Sequence, residues 1–497
     1  MTDDAMTLQS DVETLRSDVE ILARAVAAEG ATLYDRWSAA IERADFHPSA
    51  RNLAHYLALR RRDNRPLQRR LMAHGLSSIG RLESRVLPTL DAVLAALDAI
   101  TERSPRRPFP SEAEFFAGEQ HLADRTAEIL GPPATGRAVH LLVTCPSEAA
   151  DGPGFMQGLA RLGVEAVRIN CAHDDRDAWA RMIGHARAAG LAVGRPIKVL
   201  MDLAGPKIRT GAIRELDGQK RVKDGERFAI AAPGRLMDAP ADVLAVECTL
   251  PQALAACQKG QRIFIDDGKL PTIVVAVADW GVVVEATGSP DEDGYKLKPE
   301  KGVNFPDTEF SIPALTEKDI EDLDFVARNA DGIEFSFVQS AADIDDLHKA
   351  LAAIRPDWQR LSLILKIETT RALGNLPDMI VRAGSKQPTA IMIARGDLAV
   401  EIGFNRLAEM QEEILWIGEA AQVPVIWATQ VLEHLIKKGF PSRGEMTDAA
   451  MAARAECVML NKGPHLMKAI AELETLLARM GGHQFKKTPT LRRLASW

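Results

Sequence analysis

The chain has 497 residues, which at about 150 residues per domain predicts roughly three domains, or one large α/β barrel with two additions. With 46% hydrophobic and 26% charged residues, its composition is that of an ordinary globular protein and excludes a disordered, collagenous or membrane-embedded chain. The net charge of −8 excludes an overall basic field that would recruit nucleic acid. Five scattered cysteines without CxxC spacing fit neither a disulfide scaffold nor a zinc cluster and predict a reducing compartment. The acidic start lacks a signal pattern and no apolar run is long enough for a membrane span, so the expected location is cytoplasmic.

Residues 1–136 read as a helical extension. Leu8, Val12, Leu15, Val19, Leu22 and Val26 alternate four and three apart. Such a seam either packs on a neighbouring helix of the same domain or pairs with a second copy, which leaves a homo-oligomer open. Arg60, Arg61, Arg62, Arg65, Arg69 and Arg70 form a basic cluster without interleaved aromatics, which fits a solvated helix face better than a nucleic-acid patch.

From residue 137 short aliphatic runs alternate with helical segments, the pattern of parallel strands joined by crossover helices. Eight runs are expected as strands: 139–144, 164–170, 197–203, 332–338, 362–368, 390–395, 423–429 and 457–461. Eight such units most simply close into a TIM (β/α)8 barrel, whose reactive residues sit at strand C-termini. Residues 137–211 and 299–497 are assigned to the barrel, and 212–298, with its strand-and-turn rhythm, to an inserted β lid domain. A lid can exclude water from a phosphoryl-transfer site.

The strand ends carry polar residues that a structural strand end does not need, among them Thr144, Arg168, Asn170, Asp202, Ser336, Lys366, Glu368, Arg395, Asp397, Thr429 and Asn461. Glu368 and Asp397, on consecutive strands, form a carboxylate pair of the kind Mg²⁺ takes together with substrate oxygens. Lys366 lies two residues before Glu368 and so shares its strand face. Arg168 and Arg209 are suited to planar contact with phosphate or carboxylate, and Ser336 and Thr429 offer hydroxyls. The turn from Gly205 to Gly211 presents Lys207 and Arg209, and Gly396 and Asp397 open a helix whose amides favour an anion. Taken singly, each residue also has a structural role open to it, as an ion pair, a rim salt bridge or a helix cap.

With these residues in hand, the sequence resembles the pyruvate kinase family. Arg168-Ile169-Asn170, Met201-Asp202-Leu203, the GPKIRTG turn at 205–211, Ile265-Asp266-Asp267-Gly268, Lys301-Gly302-Val303-Asn304, Lys366-Ile367-Glu368, the ARGDL motif at 394–398 and Ala428-Thr429-Gln430 occur in the family's order. The resemblance implies transfer of phosphate from phosphoenolpyruvate to ADP, giving pyruvate and ATP, with Mg²⁺ or Mn²⁺ as cofactor. By the same resemblance Lys366 is the catalytic lysine, Glu368 and Asp397 ligate the metal, and Arg168 contacts phosphate. Thr429 lies near the enolate, and Ser336 and Gly396 on the substrate side. Asn170, His173, Arg209 and Lys301 fall on the nucleotide side, and Asp266 is the lid aspartate.

This sequence departs from the family's pattern in several places. Lys207 replaces a glutamate, and Ala172 and Leu203 replace two ligands of a monovalent cation, so Lys207 is expected to substitute for K⁺ and make it unnecessary. Gln339 stands where the family has an arginine. Asn461-Lys462-Gly463-Pro464 replaces a Ser-Gly-Glu-Thr run that supports enolate protonation. The chain ends at Trp497, where the family continues into a C-terminal regulatory domain, so a form lacking that domain is expected. The alternative to an active phosphotransferase is a regulatory protein that binds phosphoenolpyruvate or nucleotide with weakened turnover.

Overall fold

The computed structural model describes residues 3–76, 78–134, 136–310, 312–490 and 492–493, with side chains from Gln9 onward. Eight parallel strands close into a barrel in chain order, and the expected lid interrupts it between its third and fourth strands. The barrel strands are His140–Thr144, Ala166–Asn170, Lys198–Asp202, Gly332–Phe335, Ser362–Ile367, Thr389–Ala394, Val425–Ala428 and Cys457–Leu460. Most are fully buried because the barrel interior covers one face and the outer helices cover the other, which is why they read as continuous apolar runs.

The inserted domain is a seven-stranded, mostly antiparallel sheet. Its first strand is Thr210–Arg214 and its last is Val303–Asn304, so its strands reach outside the expected 212–298 at both ends. A two-residue return strand carries too little alternation to show in a sequence. The two connections between lid and barrel run side by side as a paired stalk. Thr210 N donates to the Lys301 carbonyl at 2.8 Å, Glu300 N to the Thr210 carbonyl at 2.8 Å, and Val303 N to the Ile208 carbonyl at 2.9 Å.

The N-terminal extension is helical, as expected. Asp3–Ser38 packs on His47–Arg60 and Val86–Ile100. Val12, Leu15, Val19, Leu22 and Val26 are all buried there, so the heptad seam is satisfied within the chain, while the side chain of Leu8 lies outside the described residues. Of the arginine cluster, Arg62 pairs with Glu29, Arg65 with Asp63 and Arg70 with Asp18, and Arg60 stacks on Trp416 at 4.6 Å.

The helical layer is fused to the barrel. Trp37 Nε1 donates to Asp378 Oδ1 at 2.8 Å, and Asn52 Nδ2 to the Ala420 carbonyl at 2.8 Å. Glu112–Leu130, opened by a Ser111–Glu114 capping box, places Ile129 and Leu130 among Leu142, Ala166, Leu200, Ile364 and Ile426. These two side chains plug the N-terminal end of the barrel. At the far end of the chain, Lys486 and Lys487 pair with Glu456 of the barrel and Glu83 of the helical layer. Among the described residues no helix is long and apolar enough to cross a membrane.

Candidate active site

At the C-terminal end of the barrel, four strands converge charged side chains on one buried point. Lys366 Nζ donates to Asp202 Oδ1 at 3.0 Å and to Ser336 Oγ at 2.6 Å, and lies 3.2 Å from Glu368 Oε1. Ser336 Oγ in turn donates to Asp202 Oδ1 at 2.9 Å. Burial acts to lower the Lys366 pKa, but Asp202 and Glu368 outweigh it and hold the ammonium protonated above its ordinary value. Asp202 experiences the converse: burial favours its neutral form, and Arg168 and Lys366 overcome this to keep it ionised.

Arg168 joins the network from the second strand. Its Nε donates to Asp202 Oδ2 at 3.0 Å and to Glu334 Oε2 at 3.1 Å, and its Nη1 to Thr144 Oγ1 at 3.1 Å. Glu334 is absent from the sequence-based candidates because the expected strand 332–338 puts it early in the run, whereas the observed strand, Gly332–Phe335, ends one residue after it. The signal that finds it is an acidic residue within the apolar run Gly332–Phe335, two positions before Ser336 and therefore on the same inward face.

Glu368 is held by backbone as well as by Lys366. The Phe337 N–H donates to Glu368 Oε2 at 2.6 Å, and Phe337 adopts φ 55°, a left-handed conformation that costs energy for a bulky side chain. Gly205 permits this turn: at φ 65°, a Cβ there would stand 2.8 Å from Ser336 Cβ and 2.9 Å from Phe337 Cδ2. Burial, and then Asp397 acting against the pull of Lys366, raises the Glu368 pKa. Two carboxylates that repel each other across shared space are a natural seat for a divalent cation, so the donor set fits Mg²⁺. Among the described residues no group of three or more His, Cys, Asp or Glu side chains could hold a metal by protein atoms alone, so substrate oxygens and water would complete the shell.

Asp397 sits in the first turn of Arg395–Ile402, which begins directly after the sixth strand, and its Oδ1 lies 3.3 Å from Lys207 Nζ. The structure thus brings Lys207 to the second carboxylate, while Asp202 holds Arg168. Thr429 takes φ 61°, an outlier for a β-branched residue. It is fixed by Arg395, whose Nη2 donates to the Thr429 carbonyl at 2.6 Å and whose Nε donates to the Ala428 carbonyl at 3.0 Å. The Gly396 N–H donates to Thr429 Oγ1 at 2.8 Å. Arg395, one of the polar strand-end residues, pairs with Asp448 and also holds this strained turn.

A cleft of about 820 Å³ opens between this point and the lid, with Lys207, Asn304, Phe337, Arg371, Asp397 and Glu401 on its walls. A smaller pocket of about 290 Å³ gathers Arg168, Asn170 and His173 with Cys145, Asn461 and Lys462. The lid candidates pair with one another and with the stalk. Asp266 accepts from Lys269 Nζ and from the Tyr295 hydroxyl, both at 2.9 Å, and Lys301 Nζ lies 3.2 Å from its Oδ1. Arg209 reaches the Glu300 carbonyl at 3.1 Å on the stalk.

The family profile for the barrel domain of pyruvate kinase matches residues 138–464. The chain belongs to the pyruvate kinase family. It is 32% identical over 338 residues to the pyruvate kinase of Corynebacterium efficiens, an alignment covering 66% of this chain and 67% of that protein. It is 33% identical over 323 residues to that of Methylorubrum extorquens, covering 64% and 63%. It is also 33% identical over 312 residues to that of Mycobacterium tuberculosis, covering 62% of each. The chain therefore spans about two thirds of the length of these pyruvate kinases. The family match ends at Pro464 and starts at Ala138, so the helical layer of residues 1–136 lies outside it.

Proposed function

We propose that this protein transfers the phosphoryl group of phosphoenolpyruvate to ADP. The observation that carries the reading is the Lys366 ammonium, held protonated between Asp202, Ser336 and Glu368 at the catalytic end of the barrel. In the reaction the bond between phosphorus and the enol oxygen breaks, its electron pair stays on that oxygen, and a β-phosphate oxygen of ADP forms the new bond to phosphorus. The resulting enolate then takes a proton on its methylene carbon to become pyruvate. A fixed ammonium beside the transferring group neutralises charge on both oxygens, and such positioning and neutralisation account for most of phosphoryl-transfer catalysis.

Glu368 and Asp397 would hold Mg²⁺ or Mn²⁺, which when bound neutralises the phosphoryl oxygens. Thr429, Gly396 and Ser336 belong to the substrate side. The pocket containing Asn170 and His173 suits the phosphates of ADP, with Arg209, Lys301 and Asp266 arriving from the stalk and lid, while Arg168 serves the phosphate of phosphoenolpyruvate. Lys207, seated on Asp397, supplies fixed positive charge at the mouth and removes the need for K⁺.

The test is pyruvate formation by the purified protein with phosphoenolpyruvate, ADP and Mg²⁺, beside Lys366→Met. Lysine-dependent turnover is expected. Retained phosphoenolpyruvate binding with no turnover in either protein replaces the enzyme with the regulatory binder, a reading that Asn461 and Lys462 at the pocket wall favour. The same assay with K⁺ exchanged for tetramethylammonium should give an unchanged rate, and a strong increase in K⁺ overturns the role given to Lys207.

A further inference from the structure

Glu334 is fully buried in the barrel interior, cross-strand from Asp202. Its Oε2 accepts from Arg168, and its Oε1 has no hydrogen-bond partner among the described residues. Arg168 does not need this second carboxylate for anchoring, because Asp202 already takes both its Nε and its Nη2 and Thr144 takes its Nη1. A half-satisfied carboxylate in a barrel core is costly, so its presence calls for an effect beyond packing. The charge count supplies one. Two cations, Arg168 and Lys366, face three carboxylates, Asp202, Glu334 and Glu368, and Glu334 cancels the positive charge that Arg168 would otherwise offer upward.

We propose that Glu334 is a positioning and charge-setting residue: it holds Arg168 down against the barrel layer and weakens the grip of the mouth on the phosphate of its ligand. This rests on the mouth being a phosphate site, as in the function above. Glu334 is faced by Arg168 from the second strand, Asp202 from the third, Lys366 from the fifth and the Cys457 thiol from the eighth, whose pKa burial pushes well above its ordinary value. Burial, and then Asp202, pushes the Glu334 carboxyl up to about 7, so its charge varies across neutral pH.

The test uses the full chain and sulfate, which stays a dianion throughout the pH range of interest, with calorimetry as the readout. Glu334→Gln should bind sulfate roughly five- to thirtyfold more tightly, the range expected for removing one charge a few ångströms from the anion. Glu334→Asp, which keeps the charge, should stay near the parent protein. The gain should vanish in an Arg168→Gln background. In the parent protein sulfate should bind more tightly as pH falls through about 7, a dependence that Glu334→Gln abolishes and that can be read even if that variant folds poorly. In turnover the same variant should lower KM for phosphoenolpyruvate and leave KM for ADP unchanged. Equal sulfate affinity in parent and Glu334→Gln, an equal change with Asp and Gln, or a flat pH profile in the parent overturns the proposal. Because sulfate binding needs no chemistry, a failure of turnover leaves this test intact and speaks only to the enzyme reading.

Discussion

Each end of the barrel buries an arginine–glutamate pair, and the two pairs are built differently. At the N-terminal end Arg137 and Glu165 have side chains 1% and 0% exposed, and both Glu165 oxygens are used. Its Oε1 accepts from Ala134 N at 2.8 Å, and its Oε2 accepts from Leu141 N and Arg137 Nη2, both at 2.9 Å. At the C-terminal end Arg168 is divided between Asp202 and Glu334, and one Glu334 oxygen is left over. The lower pair ties the start of the barrel to its second strand beneath the Ile129–Leu130 plug. The upper one sits among strained turns at Phe337 and Thr429 and close like charges. The difference lies in the carboxylates, since Arg137 Nε also lacks a partner among the described residues: one whose oxygens are all satisfied is spent on folding, whereas one with an oxygen left over keeps free energy available for a ligand.

That contrast is open to attack by substitution. If Lys366 acts as proposed, Lys366→Met should reduce turnover by about 10³-fold or more through loss of a cation beside the developing negative charge, and activity retained within tenfold would show that the upper end does not do the chemistry. Arg137→Met should lower unfolding stability by about 3–5 kcal/mol in denaturant melts and leave the kcat of folded molecules unchanged. A loss of kcat with little loss of stability would reverse the assignment of the two ends. Thr429→Val keeps the shape of the strained residue and removes the hydroxyl that meets the Gly396 amide. Turnover should fall by about 10²-fold.

The smallest effect concerns Glu401 on the cleft wall. Burial raises its pKa from 4.5 to about 7, with Asn304 of the lid donating to its Oε1 at 3.3 Å. A carboxyl with a raised pKa in the folded state contributes fully below pH 4.5, and that stability is lost as pH climbs from there to about 7. Glu401→Gln should flatten this part of the stability profile by about 1–2 kcal/mol. An identical pH slope in the variant would show that burial of Glu401 is not what sets it.

The sequence made the barrel legible because parallel strands buried on both faces become aliphatic runs, and all eight lie where those runs do. It also pointed to Lys366, Glu368, Asp397 and Thr429, since polar residues just past such runs stand out. Glu334 has no such signal because the aliphatic run continues through Val338 and hides that the strand ends at Phe335, one residue after it. Lys207 and Asp397 are 190 residues apart, so their pairing has no local signature. The N-terminal heptads were ambiguous for a physical reason: a seam that packs within a chain and one that packs between chains bury the same positions, and only the presence of His47–Arg60 and Val86–Ile100 against it decides. The return strand Val303–Asn304 has no signature of its own because two residues are specified by their partner, Arg262–Ile265, more than by their own composition.

The paired stalk constrains how the lid can travel. Sliding one connection past the other would break the bonds that Thr210, Glu300 and Val303 make across it, whereas flexing the ribbon about a line across both connections preserves them. Any movement that keeps these bonds would therefore be a hinge toward and away from the mouth, with twisting opposed. Amide exchange at Thr210 and Val303 should stay slow while the cleft opens and closes, and fast exchange there would mean that the two connections separate whenever the lid moves.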